Sequence, residues 1–376
     1  MSKKLPKNYT ILIIGGVLIL FGILAVYSVS IHESFTTTLV MIRRGSWTWD
    51  PSNYFYFFRH LRNLLIWLII GAVAYKIPLS WYKRYYVLIF LVFLVFQLMV
   101  FTPLGDSFGK GARNWINLPW LGTVQPSEFF KLGFVIFLSA RLIRKRQLLT
   151  ELKWYIAFLI MVGLCLFVYL LIPDLGTIMI LWLLSLLMYR YSWGKKRFVL
   201  SSWILWLLVA LIAATQFSYI KDRLSFFVWS EDNLTNTAVW YQQEQALMAI
   251  GGGGVFGKWY GKWLQKFGYI PEAQSDFIFA AYSEEIGFLG NSILLALYFL
   301  LVYFMINRLK HIQDPYYRTF GVWLVSLLVI QAFVNMWVNT SILPNTWLTL
   351  PFISVWWTAL MSNIVQLVLM HKIINE

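Results

Sequence analysis

The feature that most limits what this chain can fold into is a series of solidly apolar runs, each near the length needed to cross a bilayer. They lie at about 11–30, 61–77, 86–101, 127–142, 155–172, 175–191, 198–217, 277–306, 320–338 and 350–370. Runs of ~20 apolar residues are the signature of membrane-spanning helices. Because these runs are continuous rather than alternating, a lipid-facing barrel is excluded, and helices are the remaining way to satisfy a backbone in hydrocarbon. The fourth run is the weakest, with Glu128 and Lys131 near its start. The eighth is long enough for a tilted or interrupted start. The expected fold class is therefore all-α: one polytopic membrane domain over residues 1–376 with about ten transmembrane helices. A large outer loop, 218–276, separates the seventh and eighth.

Charge sets the orientation. The chain has 31 Lys and Arg against 16 Asp and Glu, a net charge of +15. In a membrane protein such an excess marks loops retained on the inner side rather than nucleic-acid binding. With the N-terminus inside, the short inner segments collect more Lys and Arg than the much longer outer ones, so both termini are expected in the cytoplasm. Arg43, Arg44, Arg59 and Arg62 of the first outer loop run against this bias. Lys3, Lys4 and Lys7 before the first run resemble a signal peptide, but no small-residue cleavage site follows, so a retained helix is expected. Cys165 is the one cysteine, inside an apolar run, and His32, His60, His311 and His371 are scattered. That excludes an intramolecular disulfide and disfavours a His/Cys metal cluster.

Two outer segments are too long and patterned to be mere connectors, 102–126 and 218–276. The second is rich in aromatic residues, which disfavours disorder. In the first, Lys110 and Arg113 sit among glycines; this suits either a phosphate approached by cations and backbone N–H groups or a solvated loop. At its end, Pro126 suits a first helical turn, and Glu128 and Lys131 share one face at i,i+3. This is either a capping and ion-pair device or a polar face lining a cavity. Asp174, in a tight turn between two spans, is expected to cap the following helix, a role worth ~1 kcal/mol. Lys221, Arg223, Gln242 and Gln245 read as ordinary loop polars. Asp276, at the boundary between the long loop and the eighth run, is either an N-cap or a general base. Glu284 and Glu285 lie deeper and are expected to be buried and paired, or to line a cavity. No Ser-His-Asp, Cys-His or GxxxxGK[ST] pattern supports a hydrolase or ATP-driven transport.

Taken in order, GKGARNWI, VQPSEFFKL, PDLGT, YQQEQALMAIGGGGVFGK, KFGYIPEAQSDFIFA with EEIGFLG, and LPNTWLTLPFIS resemble the SEDS family (FtsW, RodA and SpoVE), in wording closest to the FtsW/SpoVE branch. The resemblance implies a peptidoglycan glycosyltransferase of the bacterial cytoplasmic membrane, polymerising lipid II at the outer face. Its implied partners are lipid II, a class B penicillin-binding protein, other divisome or elongasome proteins and membrane lipids, with no nucleic acid. Asp276 takes the family's essential aspartate and becomes the expected general base. Glu128 and Lys131 take its QPSE-x-x-K residues and Arg113 its loop arginine. With Lys110, Arg223 and Gln242 they form the expected substrate-binding set. The leaving pyrophosphate would be met by these outer cations or by a divalent ion, Mg or Mn. Where the family reads EAHTD, this chain reads Glu272-Ala273-Gln274-Ser275-Asp276, which removes a histidine and keeps the aspartate. A lipid flippase and an inactive scaffold for a division transpeptidase are the rival readings.

A second departure is regular. Trp240, Trp259, Trp337, Trp347, Trp356 and Trp357 stand where the family has glycine. Replacing the smallest side chain by the largest at packed sites exceeds the overpacking that already costs ~1–3 kcal/mol per added methylene. The hypothesis is that these codons are UGA, read as glycine in some genetic codes. TGA at the six positions, with TGG at Trp115, supports it; TGG at all of them sinks it.

Overall fold

The computed structural model describes residues 9–107, 113–118, 122–216, 238–259, 270 and 273–375. It is mostly helical. In chain order the helices are α1 (Thr10–Val29), α2 (Ile31–Arg43), α3 (Phe55–Lys76), α4 (Leu79–Arg84), α5 (Tyr86–Leu98), α6 (Pro126–Arg144) and α7 (Leu152–Leu171). There follow α8 (Leu175–Tyr191), α9 (Lys196–Gln216), α10 (Ala238–Gly252), α11 (Ile278–Leu309), α12 (Pro315–Asn339) and α13 (Trp357–Asn375). Among the described residues, α1, α3, α7, α11, α12 and α13 are long and apolar enough to cross a membrane, and α5 and α8 are shorter apolar helices. The protein is a multi-pass membrane protein. Exposed stripes such as Ile160, Leu164, Phe167 and Leu171 recur at helical spacing on α7, the pattern of a face that meets lipid rather than water.

Each of the ten apolar runs falls on one of these helices, with shifted ends. The tenth run begins at 350, but α13 starts only at Trp357, because Pro351 and the left-handed Phe352 (φ 66°) keep the preceding backbone out of a helix. Three helices were not legible as apolar runs: α2 and α4, and α10 within the long loop. The segment 102–126 carries a small antiparallel sheet, an addition to the all-helical expectation. Its strands are β1 (Gly105–Asp106), β2 (Trp115–Leu118) and β3 (Gly122–Val124), in the order β1-β2-β3. Ile116 pairs with Gly105 on one side and Val124 on the other.

The charged fourth run is the centre of the bundle. α6 packs against α5, α8, α12 and α13, and Phe130, Lys131 and Phe134 on it are fully buried. Its charge is tolerable because protein, not lipid, surrounds it. At one end of the bundle Tyr9 meets the ring of His371 at 5.4 Å, and Lys372 Nζ donates to the carbonyls of Tyr75 and Ile77 at 2.6 and 2.8 Å. The first and last helices therefore begin and end on the same face.

The interruption expected in the eighth run is at Gly287, where α11 adopts φ 63°, ψ −167°. Breaking the helical ladder there frees amides that must find other partners. Phe288 and Leu289 donate to the carbonyls of Gly254 and Val255, at 2.9 and 3.0 Å. The glycine-rich turn after α10 thus docks on the kink by backbone. A Cβ on Gly257 would lie 1.8 Å from the Glu285 carbonyl, so the approach requires glycine.

The overpacking expected at the six tryptophans does not arise at Trp259 and Trp337, which are 74% and 44% exposed. Their bulk is accommodated at the surface. Trp357 stacks on Trp67 with centroids 5.3 Å apart.

Candidate active site

The turn at 273–277 leads into α11 and is held from two sides. Asn335 and Asn339, one turn apart on α12, both donate Nδ2 to the Asp276 carbonyl at 2.9 Å. Asn339 Oδ1 accepts the Ala280 amide at 3.0 Å, so a first-turn amide of α11 is satisfied from α12. The N-cap position falls on Phe277, with no side-chain cap. The N-cap reading of Asp276 is therefore not the one realised. On the other side, Ser354 Oγ donates to the Ser275 carbonyl at 2.7 Å, and the Val355 amide donates to the Gln274 carbonyl at 3.1 Å. Asp276 is buried at the end of this fixed turn.

A cavity of about 330 Å³ lies against the turn; Gln274 and Ser275 line it, and Asp276 follows them without lining it. Gln274 and Ser275 form one wall, Trp115 and Thr123 of the sheet another, and Val355 to Trp357 a third. α3 supplies Tyr56, Arg59, His60 and Asn63, and α2 supplies Glu33. Trp115 stacks on Trp356 at 5.7 Å. The α3 residues were not singled out as site residues from sequence. Their signal was present: Tyr56, Arg59 or His60, and Asn63 recur at helical spacing at the start of an otherwise apolar span.

Glu128 and Lys131 do not line this cavity. Lys131 Nζ bonds Glu128 Oε1 at 2.8 Å and Gln331 Oε1 at 3.2 Å, all buried. Gln331 Nε2 donates to Thr349 Oγ1 at 3.1 Å, and Asn335 Nδ2 to the Leu348 carbonyl at 2.6 Å. The pair thus joins, through α12 and residues 348–349, the network that fixes Asp276. Of the two readings of Glu128 and Lys131, the geometry is that of the ion-pair device. Gln242 Oε1 accepts from Asn345 Nδ2 at 3.0 Å, which ties α10 to the segment before Leu348. Arg113 is exposed, two residues before cavity-lining Trp115. Lys110 and Arg223 lie outside the described residues.

The other acids are engaged as expected. Glu284 pairs with Lys258 at 2.6 Å, and Ser28 Oγ donates to Glu285. Asp174 caps α8, accepting the Thr177 amide at 3.0 Å. Among the described residues no three His, Cys, Asp or Glu side chains converge to hold a metal ion.

The "Cell cycle protein" family model of FtsW, RodA and SpoVE matches residues 8–376. The "Probable peptidoglycan glycosyltransferase FtsW" of Geobacter metallireducens is 30% identical over 352 residues, 92% of this chain and 89% of that one. Its namesake in Alcanivorax borkumensis is 34% identical over 326 residues, covering 84% and 82%. Among solved structures, a chain described under "Structural coordination of polymerization and crosslinking by a peptidoglycan synthase complex" shares the fold at TM-score 0.76 and 19% identity, covering 98% of both chains. The rod shape determining protein RodA of Thermus thermophilus does so at TM-score 0.66 and 21% identity, covering 98% of this chain and 97% of that one. A family match over nearly the whole length, on a bundle in which buried Asn335 and Asn339 hold the Asp276 turn, makes this chain a member of the FtsW/RodA/SpoVE cell cycle protein family.

Proposed function

We propose that this protein is a peptidoglycan glycosyltransferase that polymerises lipid II at the outer face of the bacterial cytoplasmic membrane, with both termini in the cytoplasm. The observation that carries the chemistry is the position of Asp276: buried, fixed through its backbone by two carboxamides, and next to the cavity wall formed by Gln274 and Ser275. A carboxylate carried on a fixed turn, one residue from a cavity wall, suits general-base work, because geometry precedes pKa in such catalysis. The Asp276 carboxylate takes the proton from the acceptor sugar hydroxyl as that oxygen attacks the donor's anomeric carbon. The new glycosidic C–O bond forms, the bond from the anomeric carbon to the pyrophosphate oxygen breaks, and undecaprenyl pyrophosphate departs with the electron pair. Arg113, with Lys110 and Arg223, is proposed to meet the charge of the leaving group; a divalent cation would supply the same stabilisation if bound. The polyprenyl chains would lie on the apolar faces of the bundle. A class B penicillin-binding protein is the proposed partner, within the division or elongation machinery.

The test is polymer formation from lipid II by the purified full-length chain with its penicillin-binding protein in vesicles. Glycan polymer is expected. Lipid II flipping without polymer would favour the transporter reading, and neither activity would favour the scaffold.

A further inference from the structure

We propose that His60 and Gln274 form a paired hydrogen-bonding subsite for the N-acetylated saccharide of the substrate. This rests on the glycosyltransferase reading and names a residue that reading does not contain. His60 is 1% exposed; the Val355 backbone lies within reach of its ring, which leaves at least one ring nitrogen without a hydrogen-bond partner among the described residues. Gln274 is 4% exposed, and its Oε1 is likewise without a hydrogen-bond partner among the described residues. Both side chains line the cavity beside Asp276. Buried polar atoms are nearly always hydrogen-bonded, so two such groups lining one cavity call for a ligand that supplies the missing partners. The wall around them sets the Trp115 ring beside the polar side chains of Tyr56, Arg59, Asn63 and Thr123, which suits a hydroxyl- and amide-bearing sugar ring. The arrangement also accounts for the EAHTD departure: where Gln274 replaces the motif's histidine, α3 brings an imidazole to the same cavity. The sugar's hydroxyl and acetamido groups bond the imidazole and the carboxamide, which positions the acceptor oxygen for Asp276.

The experiment is equilibrium binding of the N-acetylglucosamine–N-acetylmuramic acid disaccharide to the detergent-solubilised full chain, with polymerisation measured in parallel. H60A is expected to weaken binding about tenfold, the loss when a buried polar partner is removed. The H60A/Q274H double variant is expected to recover most of it, which a merely structural histidine would not allow. H60Q, which keeps a donor and an acceptor, controls for folding and is expected to bind more tightly than H60A. Wild-type affinity in H60A, or no recovery in the double variant, overturns the proposal. Loss of polymerisation in the wild-type chain with disaccharide binding intact would instead strike the glycosyltransferase reading.

A separate observation carries a second inference. α8 ends in a Schellman motif: the Trp193 amide bonds the Arg190 carbonyl at 3.3 Å and the Gly194 amide the Tyr189 carbonyl at 3.0 Å. That motif requires a left-handed residue at the position after the C-cap, nearly always glycine. Here it is Trp193, at φ 77°. Trp259 is left-handed too, at φ 69°, a conformation a bulky side chain rarely adopts. Arg146 lies over the Trp193 ring at 4.3 Å, but that contact does not lessen the backbone's requirement. We infer that position 193 joins the UGA-encoded set and that the cell's own protein carries glycine there, as at 259. The gene and a peptide mass spectrum of the protein from its native cell decide it. TGA at codon 193 and a glycine-containing peptide are expected. TGG, or tryptophan in the peptide, overturns the inference.

Discussion

Asp276 is held by its carbonyl oxygen, so its backbone has little freedom to drift, as the proposed general-base role requires. Asn339 shares this with Asn335, and its one side chain bonds Asp276, Asn335 and Ala280. Replacing it with Ala strands the buried Ala280 amide and leaves the Asp276 carbonyl with Asn335 alone. The expected cost is ~1–3 kcal/mol for the stranded amide, read as a lowered unfolding temperature in detergent together with reduced polymerisation. The Glu128–Lys131 pair predicts a different pattern. Lys131→Met strands a buried carboxylate and should destabilise by ~3–5 kcal/mol, whereas the E128Q/K131M double variant should be much less affected. Equal losses in thermal unfolding would contradict the pairing. The sequence made the i,i+3 pair readable. It did not make Asn335 and Asn339 readable, because a carboxamide on an apolar helix carries no sign of which distant carbonyl it reaches. His60 was hidden for the same reason: its cavity is assembled from α2, α3, β2, β3 and the loops before α11 and α13.

At the level of elements, long apolar helices were legible because lipid demands their length and composition, and α2, α10 and the small sheet were not because no such demand shapes them. The docking of the glycine-rich turn on α11 depends on two glycines. A Cβ at position 287 would lie 2.2 Å from the Gly257 nitrogen, and φ there is +63°. Gly287→Ala should therefore cost more than the ~1–2 kcal/mol of a left-handed alanine, seen as faster proteolysis within the Gly251–Trp259 region. A cap at the opposite end gives a pH test. Asp314 accepts the Tyr316 amide at 2.7 Å and pairs with Lys83 at 2.8 Å, joining α12 to α4. Burial pushes its carboxyl up, but Lys83 and the Tyr316 amide outweigh this and hold it below its ordinary value. Its folded pKa thus lies below the unfolded one. The stabilisation is full above the ordinary carboxylate range and is lost as pH falls through the lowered value. Acidification should lower the unfolding temperature of the wild type more than that of Asp314→Asn.

For the whole molecule, the bundle separates two ends. One gathers the beginning of α1 and the end of α13 around Tyr9, Tyr75 and His371. The other carries the sheet, the turn on α11 and the cavity. Both termini lie at the end away from the cavity, and under the orientation proposed from charge, reporters fused to either terminus should both report the cytoplasmic side of the membrane. The overall plan was readable because span length and loop charge are whole-chain properties. The meeting of α3 and α12 at one turn was not, since it depends on packing between runs that look alike. That convergence is the basis for assigning the chemistry to one carboxylate. The most direct measurement is polymer formation from lipid II by Asp276→Ala in the full-length chain, alongside its unfolding temperature. Polymerisation abolished, with an unfolding transition close to wild type, is the predicted result; polymer at the wild-type rate would contradict the account.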